Sequence, residues 1–157
     1  MEECKPAKMR LQLWERNGVR VLDDAYNANA DSMVVALQTL LDLPFKGRRL
    51  AVLGDMAELG RESEAVHEEV GRRAAQMGVG QLFAVGKMAS FMARGARDAG
   101  LHRVLEFQDV QTAASAVKQF VREGDTVLLK ASRATGLEGV GEALGKSATD
   151  WVNWPNK

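Results

Sequence analysis

A single cysteine, Cys4, and two histidines, His67 and His102, are all that this chain of 157 residues holds for thiol or imidazole chemistry. One cysteine excludes an internal disulfide, and residues so few and so far apart leave no Cys/His cluster for zinc or another metal. Long apolar runs are missing as well, so nothing approaches a membrane span, and Met1-Glu-Glu-Cys-Lys-Pro6 has no signal-peptide character. The chain is therefore expected in a reducing cytoplasm, away from membranes. An excess of charge of either sign is also absent: Lys plus Arg and Asp plus Glu number 21 each, without long like-sign runs. That balance leaves no electrostatic footprint for nucleic acid or an anionic surface. No Ser/His/Asp or Cys/His arrangement for nucleophilic catalysis can be read from the chain. A phosphate-cradling P-loop is lacking too, because Gly80 and Gly86-Lys87 are one residue too far apart and Met88 stands where Ser or Thr should be.

What is present is an alternation of short apolar runs and amphipathic segments, in a length that suits one domain. Residues 10–15 alternate, Asn17-Gly18 follows, and Val19 to Leu22 is apolar, which predicts an antiparallel hairpin. Met33, Val34, Leu37, Leu40 and Leu41 recur at helical spacing, with Asp31 or Ser32 at the start and Pro44 beyond the end. Continuous apolar strands are expected at 50–53, 82–85, 104–107 and 126–129, with helices at about 62–77, around Phe91 and Met92, after Asp109, and at about 136–145. The glycines Gly139, Gly141 and Gly145 fall inside that last helix rather than at a strand-to-helix turn, so they do not make a dinucleotide fingerprint. Strand and helix in alternation predict an α/β, Rossmann-like three-layer domain, its sheet mostly parallel with an N-terminal antiparallel hairpin. Residues 1–8 read as a linker, 9–147 as the domain and 148–157, with Trp151 and Trp154, as a tail.

The loops after Leu22, Leu53, Val85 and Leu129 should share one edge of the sheet, where open α/β folds hold ligands. The first of them, Asp23-Asp24-Ala25-Tyr26-Asn27-Ala28-Asn29, carries two acids, a tyrosine and two asparagines. Such a set can accept from ribose hydroxyls, stack on a base and donate to oxyanions; equally, Asp31 or Asn29 can cap the next helix while the rest is solvated. Lys130-Ala131-Ser132-Arg133 ends the last strand with two cations and a hydroxyl, suited to a phosphate or carboxylate or else merely a solvated basic loop. His67, Asp55 and Glu58 are further candidates for ligand contact, with a structural hydrogen bond the alternative for His67.

Three ordered stretches carry a resemblance: Asp23-Asp24-Ala-Tyr26-Asn27-Ala-Asn29-Ala30-Asp31-Ser32-Met33, then Val52-Leu-Gly-Asp-Met-Ala-Glu-Leu-Gly60 with His67 beyond it, then Leu129-Lys130-Ala-Ser132-Arg133. Together they closely resemble the C-terminal domain of the Mur ligases, in the branch that joins D-Ala-D-Ala to a UDP-muramoyl tripeptide during peptidoglycan synthesis. The resemblance implies a three-domain, ATP-dependent, monomeric enzyme, with ATP and Mg²⁺ held mainly by a central domain that this chain lacks. It implies that Arg10 reaches the ATP phosphates, that Asp24 holds the ribose, and that Tyr26, Asn27 and Asn29 line the same turn. Lys130, Ser132 and Arg133 are implied near the incoming dipeptide, and no catalytic residue is expected within the chain itself, which is expected to be inactive alone as an excised or separately encoded piece. Two positions depart from the family pattern: Ala30 replaces a proline, and Ala131 a glycine, which would strain the backbone if that site needed positive φ. The equivalent domain of another Mur-type or folylpolyglutamate-synthetase-like ligase, and a stand-alone binding module, are the alternative readings.

Overall fold

A computed structural model of the chain describes residues 11–24, 28–57 and 59–145. Two consecutive residues with positive φ, Asn17 at 55° and Gly18 at 79°, make the tight turn between β1 (Gln12–Arg16) and β2 (Val19–Asp24). The pair is antiparallel, with Arg16 opposite Val19, as a two-residue turn of this hand requires. The chain then runs through α1 (Ala30–Asp42), β3 (Arg49–Gly54), a 3-10 turn (Gly60–Glu62), α2 (Ser63–Met77), β4 (Gln81–Val85), α3 (Ala89–Asp98), β5 (Val104–Phe107), α4 (Val110–Phe120), β6 (Thr126–Lys130) and α5 (Glu138–Ala143). The strands form one sheet in the order β1-β2-β6-β3-β4-β5, parallel except for the hairpin.

Side chains alternate across that sheet, and the alternation divides the core in two. Leu22, Ala51, Leu53, Leu82, Ala84 and Leu128 face α1, α2 and α3, meeting Met33, Leu37, Val70, Ala74 and Met92. Val21, Leu50, Val52, Phe83, Val127 and Leu129 face the other way, against Ala113 and Val117 of α4, Val140 of α5, and Trp14. Helices on both faces explain why these strands read as unbroken apolar runs. The mixed sheet and three layers match the fold read from the sequence.

The order of the strands decides where a ligand can sit. From β3 the chain moves outward to β4 and β5, then returns through α4 to lay β6 between β2 and β3. The loops after β2, β6 and β3 thus converge at the point of reversal, on the edge where the parallel strands end. The opposite edge is closed by a fork of two hydrogen bonds from Arg48 to the buried carboxylate of Asp125, at 2.8 and 2.6 Å, with a third to the carbonyl of Phe120 at 3.0 Å. Asp125 holds the Arg48 guanidinium above its ordinary pKa, despite the opposing cost of partial burial.

Candidate functional site

The expectation that Asp24 belongs to an exposed turn is corrected here. β2 continues through Asp24, which pairs in register with Lys130 on β6, and its side chain follows Leu22 to the α1–α3 face. Lys130 Nζ donates to Asp24 Oδ2 at 2.8 Å, with the side chains only 1% and 5% exposed. Lys130 is therefore not a solvated basic residue: adjacency on parallel strands puts the two charges together, and neither could be buried alone.

The helix cap falls on one of the candidates read from the sequence. Asn29, not Asp31 or Ser32, is the cap of α1: its Oδ1 accepts from Ser32 N at 2.8 Å while Ser32 Oγ accepts from Asn29 N at 3.0 Å. This reciprocal box engages the Asn29 side chain in fixing the loop, the structural alternative for that residue. Arg10, Tyr26, Asn27 and Glu58, together with the linker and the tail, lie outside the described residues.

His67 is fully buried and settles on its structural reading. Its Nε2 accepts from the backbone N–H of Met56 at 2.9 Å, and its Nδ1 meets the carbonyl of Ser63 at 2.7 Å, an arrangement that places the ring proton on Nδ1. The imidazole thereby ties the loop after β3 to the first turn of α2. Asp55 does the same toward α3: its carboxylate accepts from the backbone N–H groups of Lys87 and Met88, each at 3.0 Å, where that helix has no side-chain cap of its own. Gly86, at φ 115°, lets the carboxylate approach, since a Cβ there would lie 2.6 Å from its oxygens. The carbonyl of Asp55 also accepts from Ser132 N at 2.9 Å, which joins the β3 loop to the β6 loop.

Ala131 is buried, and Asn17 is the one non-glycine residue with positive φ among those described, so the strain foreseen at Ala131 does not arise. Its methyl occupies room left on β3, where a Cβ on Gly54 would come within 2.7 Å of it. Ser132 is buried, whereas Arg133 is exposed.

Between these loops opens a cavity of ≈ 460 Å³, lined among others by Asp55, Lys87, Gln108, Asp109, Ser132 and Thr135. Its apolar wall draws on both sides of the sheet, Val85 and Val110 from the α4 side and Met56 from the other. Lys87, Gln108 and Thr135 were not singled out in the sequence, although Gly86-Lys87 directly after a strand was a usable signal. Asp109 was read only as a helix cap, which it is: its Oδ1 accepts from Thr112 N at 2.7 Å and from the Thr112 hydroxyl at 2.8 Å. The backbone bond first and the hydroxyl second hold the Asp109 carboxyl below its ordinary pKa. The lining presents a hydroxyl pair, an amide, one ammonium and the carboxylates of Asp55 and Asp109, enough to orient a small polar ligand.

The geometry defines an α/β domain with a cavity at the carboxyl edge of its parallel strands, in which the ends of two sequence-distant strands, β2 and β6, are joined by a buried ion pair. The family model for the Mur ligase, glutamate ligase domain matches residues 9–133, and the chain belongs to that family. Its relatives include the UDP-N-acetylmuramoyl-tripeptide–D-alanyl-D-alanine ligase of Escherichia coli K12, 40% identical over 82% of this chain and 27% of that protein. A crystal structure of MurF from Acinetobacter baumannii superposes with a TM-score of 0.77 at 30% identity, over 87% of this chain and 30% of the other. MurF from Thermotoga maritima in complex with ADP superposes at 0.69 and 30% identity, over 83% of this chain and 29% of the other. The chain thus spans less than a third of the length of these relatives.

Proposed function

We propose that this chain serves as the C-terminal domain of an ATP-dependent ligase that adds D-Ala-D-Ala to a UDP-muramoyl tripeptide, in the bacterial cytoplasm. The observation that carries the reading is the convergence of the β3 and β6 loops on one cavity, with the end of β2 fastened to the end of β6 through Asp24 and Lys130, so that the three motifs shared with the family meet on one edge of the sheet. In the complete enzyme, ATP phosphorylates the tripeptide's terminal carboxylate, and the amine of the dipeptide attacks the acyl phosphate and releases phosphate. This domain contributes no bond-making group. It closes over the nucleotide with Arg10, Asp24, Tyr26 and Asn27, on a loop that the Asn29 cap fixes, and receives the dipeptide beside Ser132 and Arg133. Asp55 and His67 act one step back, holding the cavity's loops.

We assign the Mg²⁺ to parts of a ligase that this chain does not span. No helix of the described residues is long and apolar enough to cross a membrane. The reading is tested in an intact ligase carrying this domain. Arg133→Ala should raise the KM for D-Ala-D-Ala about tenfold or more with the KM for ATP nearly unchanged, because a carboxylate loses a charge-assisted partner. An unaltered dipeptide KM would move the acceptor site away from the β6 loop.

A further inference from the structure

β6 ends at Lys130, so in the Lys130-Ala131-Ser132-Arg133 stretch the lysine belongs to the sheet and the residues after it to the loop. Ser132, two residues past the strand end, lines the cavity together with Asp55 and Thr135. Lys130 instead follows Leu128 to the α1–α3 face of the sheet, where its ammonium meets Asp24 at 2.8 Å with both side chains almost wholly out of solvent. Lys130 is absent from the cavity's lining. An ammonium fastened in that way has no path to a carboxylate lying in the cavity without first giving up its buried partner.

We propose that Lys130 is a positioning residue for the Asp24 carboxylate, on the nucleotide side of the site, and not a contact for the incoming dipeptide. This rests on the assignment of Asp24 to the ribose. An aspartate so deeply buried next to an apolar strand would take up a proton or turn outward unless a cation faced it. Lys130 is well placed to prevent both. It sits on β6, flanked on either side by β2 and β3, and its Cα is the register partner of Asp24, so sheet pairing itself sets the distance between the charges. Held ionised and in one orientation, the carboxylate presents itself as an acceptor for hydroxyl groups at the end of β2. The motif then serves two ligands from one strand end: the residue on the α1–α3 face serves the nucleotide, and the residues after it serve the acceptor.

The test is a split of Michaelis constants in an intact ligase carrying this domain. Lys130→Met should raise the KM for ATP roughly tenfold and leave that for D-Ala-D-Ala within about twofold. Lys130→Arg should restore part of the ATP affinity, since it returns the charge. Asp24→Asn should raise the KM for ATP by a similar factor, and the double variant should be no worse than either single one, because both remove the same interaction. A Lys130→Met enzyme with a raised dipeptide KM and an unchanged ATP KM overturns the inference while leaving the ribose role of Asp24 intact. Asp24→Asn with an unchanged ATP KM overturns that underlying role, and the inference falls with it. If Lys130→Met does not fold, Lys130→Arg carries the test: a shift confined to ATP supports the assignment, and a shift confined to the dipeptide contradicts it. Lowered melting temperatures with both Michaelis constants unchanged would make the pair structural only and also overturn it.

Discussion

Ala30 occupies the first position of α1, directly after the Asn29 cap, where a backbone N–H has no partner within the helix. Proline suits that position: its ring presets the helical φ, it removes an N–H that the helix does not use, and it tolerates only an extended residue before it. Asn29 already has φ −134° and ψ 176°. Ala30→Pro should therefore stabilise the chain by about 0.4–1 kcal/mol, chiefly by restricting the unfolded state, and a higher urea midpoint at unchanged slope would show it. A lower midpoint would mean that the cap geometry is not as described. At this scale the sequence was legible wherever a residue's role depends on near neighbours, as for Asn17-Gly18 or the Asp109 cap. It was misleading for Asp24 and Lys130, whose identities suggest exposure and whose environment is set by a partner 106 positions away. Nothing local distinguishes a lysine aimed at a ligand from one buried against an aspartate on the adjoining strand.

Among the elements, α2 and α3 show a contact that no periodicity announces. A Cβ on Gly71 would lie 1.9 Å from the carbonyl oxygen of Met92, and one on Gly95 would lie 1.9 Å from that of Glu68, so each helix rests its glycine on the other's backbone. In an exposed helix, replacing glycine by alanine gains about 1 kcal/mol. Here the sign should invert: Gly71→Ala or Gly95→Ala forces the helices apart and should cost about 1–3 kcal/mol, as overpacking does, read from denaturant unfolding. Stabilisation by either change would show that the helices do not cross so closely. Read from sequence alone these glycines only weaken two helices, because the close approach exists only once β3, β4 and β5 have set the helices side by side. The strands were easier to place. Their unbroken apolar runs follow from burial on both faces, and their ends at Gly54 and Gly86 mark the edge where the cavity opens.

For the whole molecule, the position of β6 between β2 and β3 matters most, since it brings the first and last motifs together across the middle of the sheet. The alternation of elements indicated a Rossmann-like layer order, and the three motifs indicated the family, but strand order and the pairing of Asp24 with Lys130 emerge only from the assembled sheet. A domain that closes over a nucleotide without holding its phosphates in line should do no chemistry alone. The pure chain is therefore expected to release no phosphate from ATP in the presence of Mg²⁺. The most direct test of the account joins this chain to the first two domains of the Escherichia coli ligase and determines by mass the product formed from ATP, UDP-muramoyl tripeptide and either D-Ala-D-Ala or single amino acids. The account predicts a product heavier by one D-Ala-D-Ala unit, formed with the dipeptide and not with a single amino acid. A folded chimaera that adds a single amino acid and refuses the dipeptide, or phosphate release by the chain on its own, would contradict it.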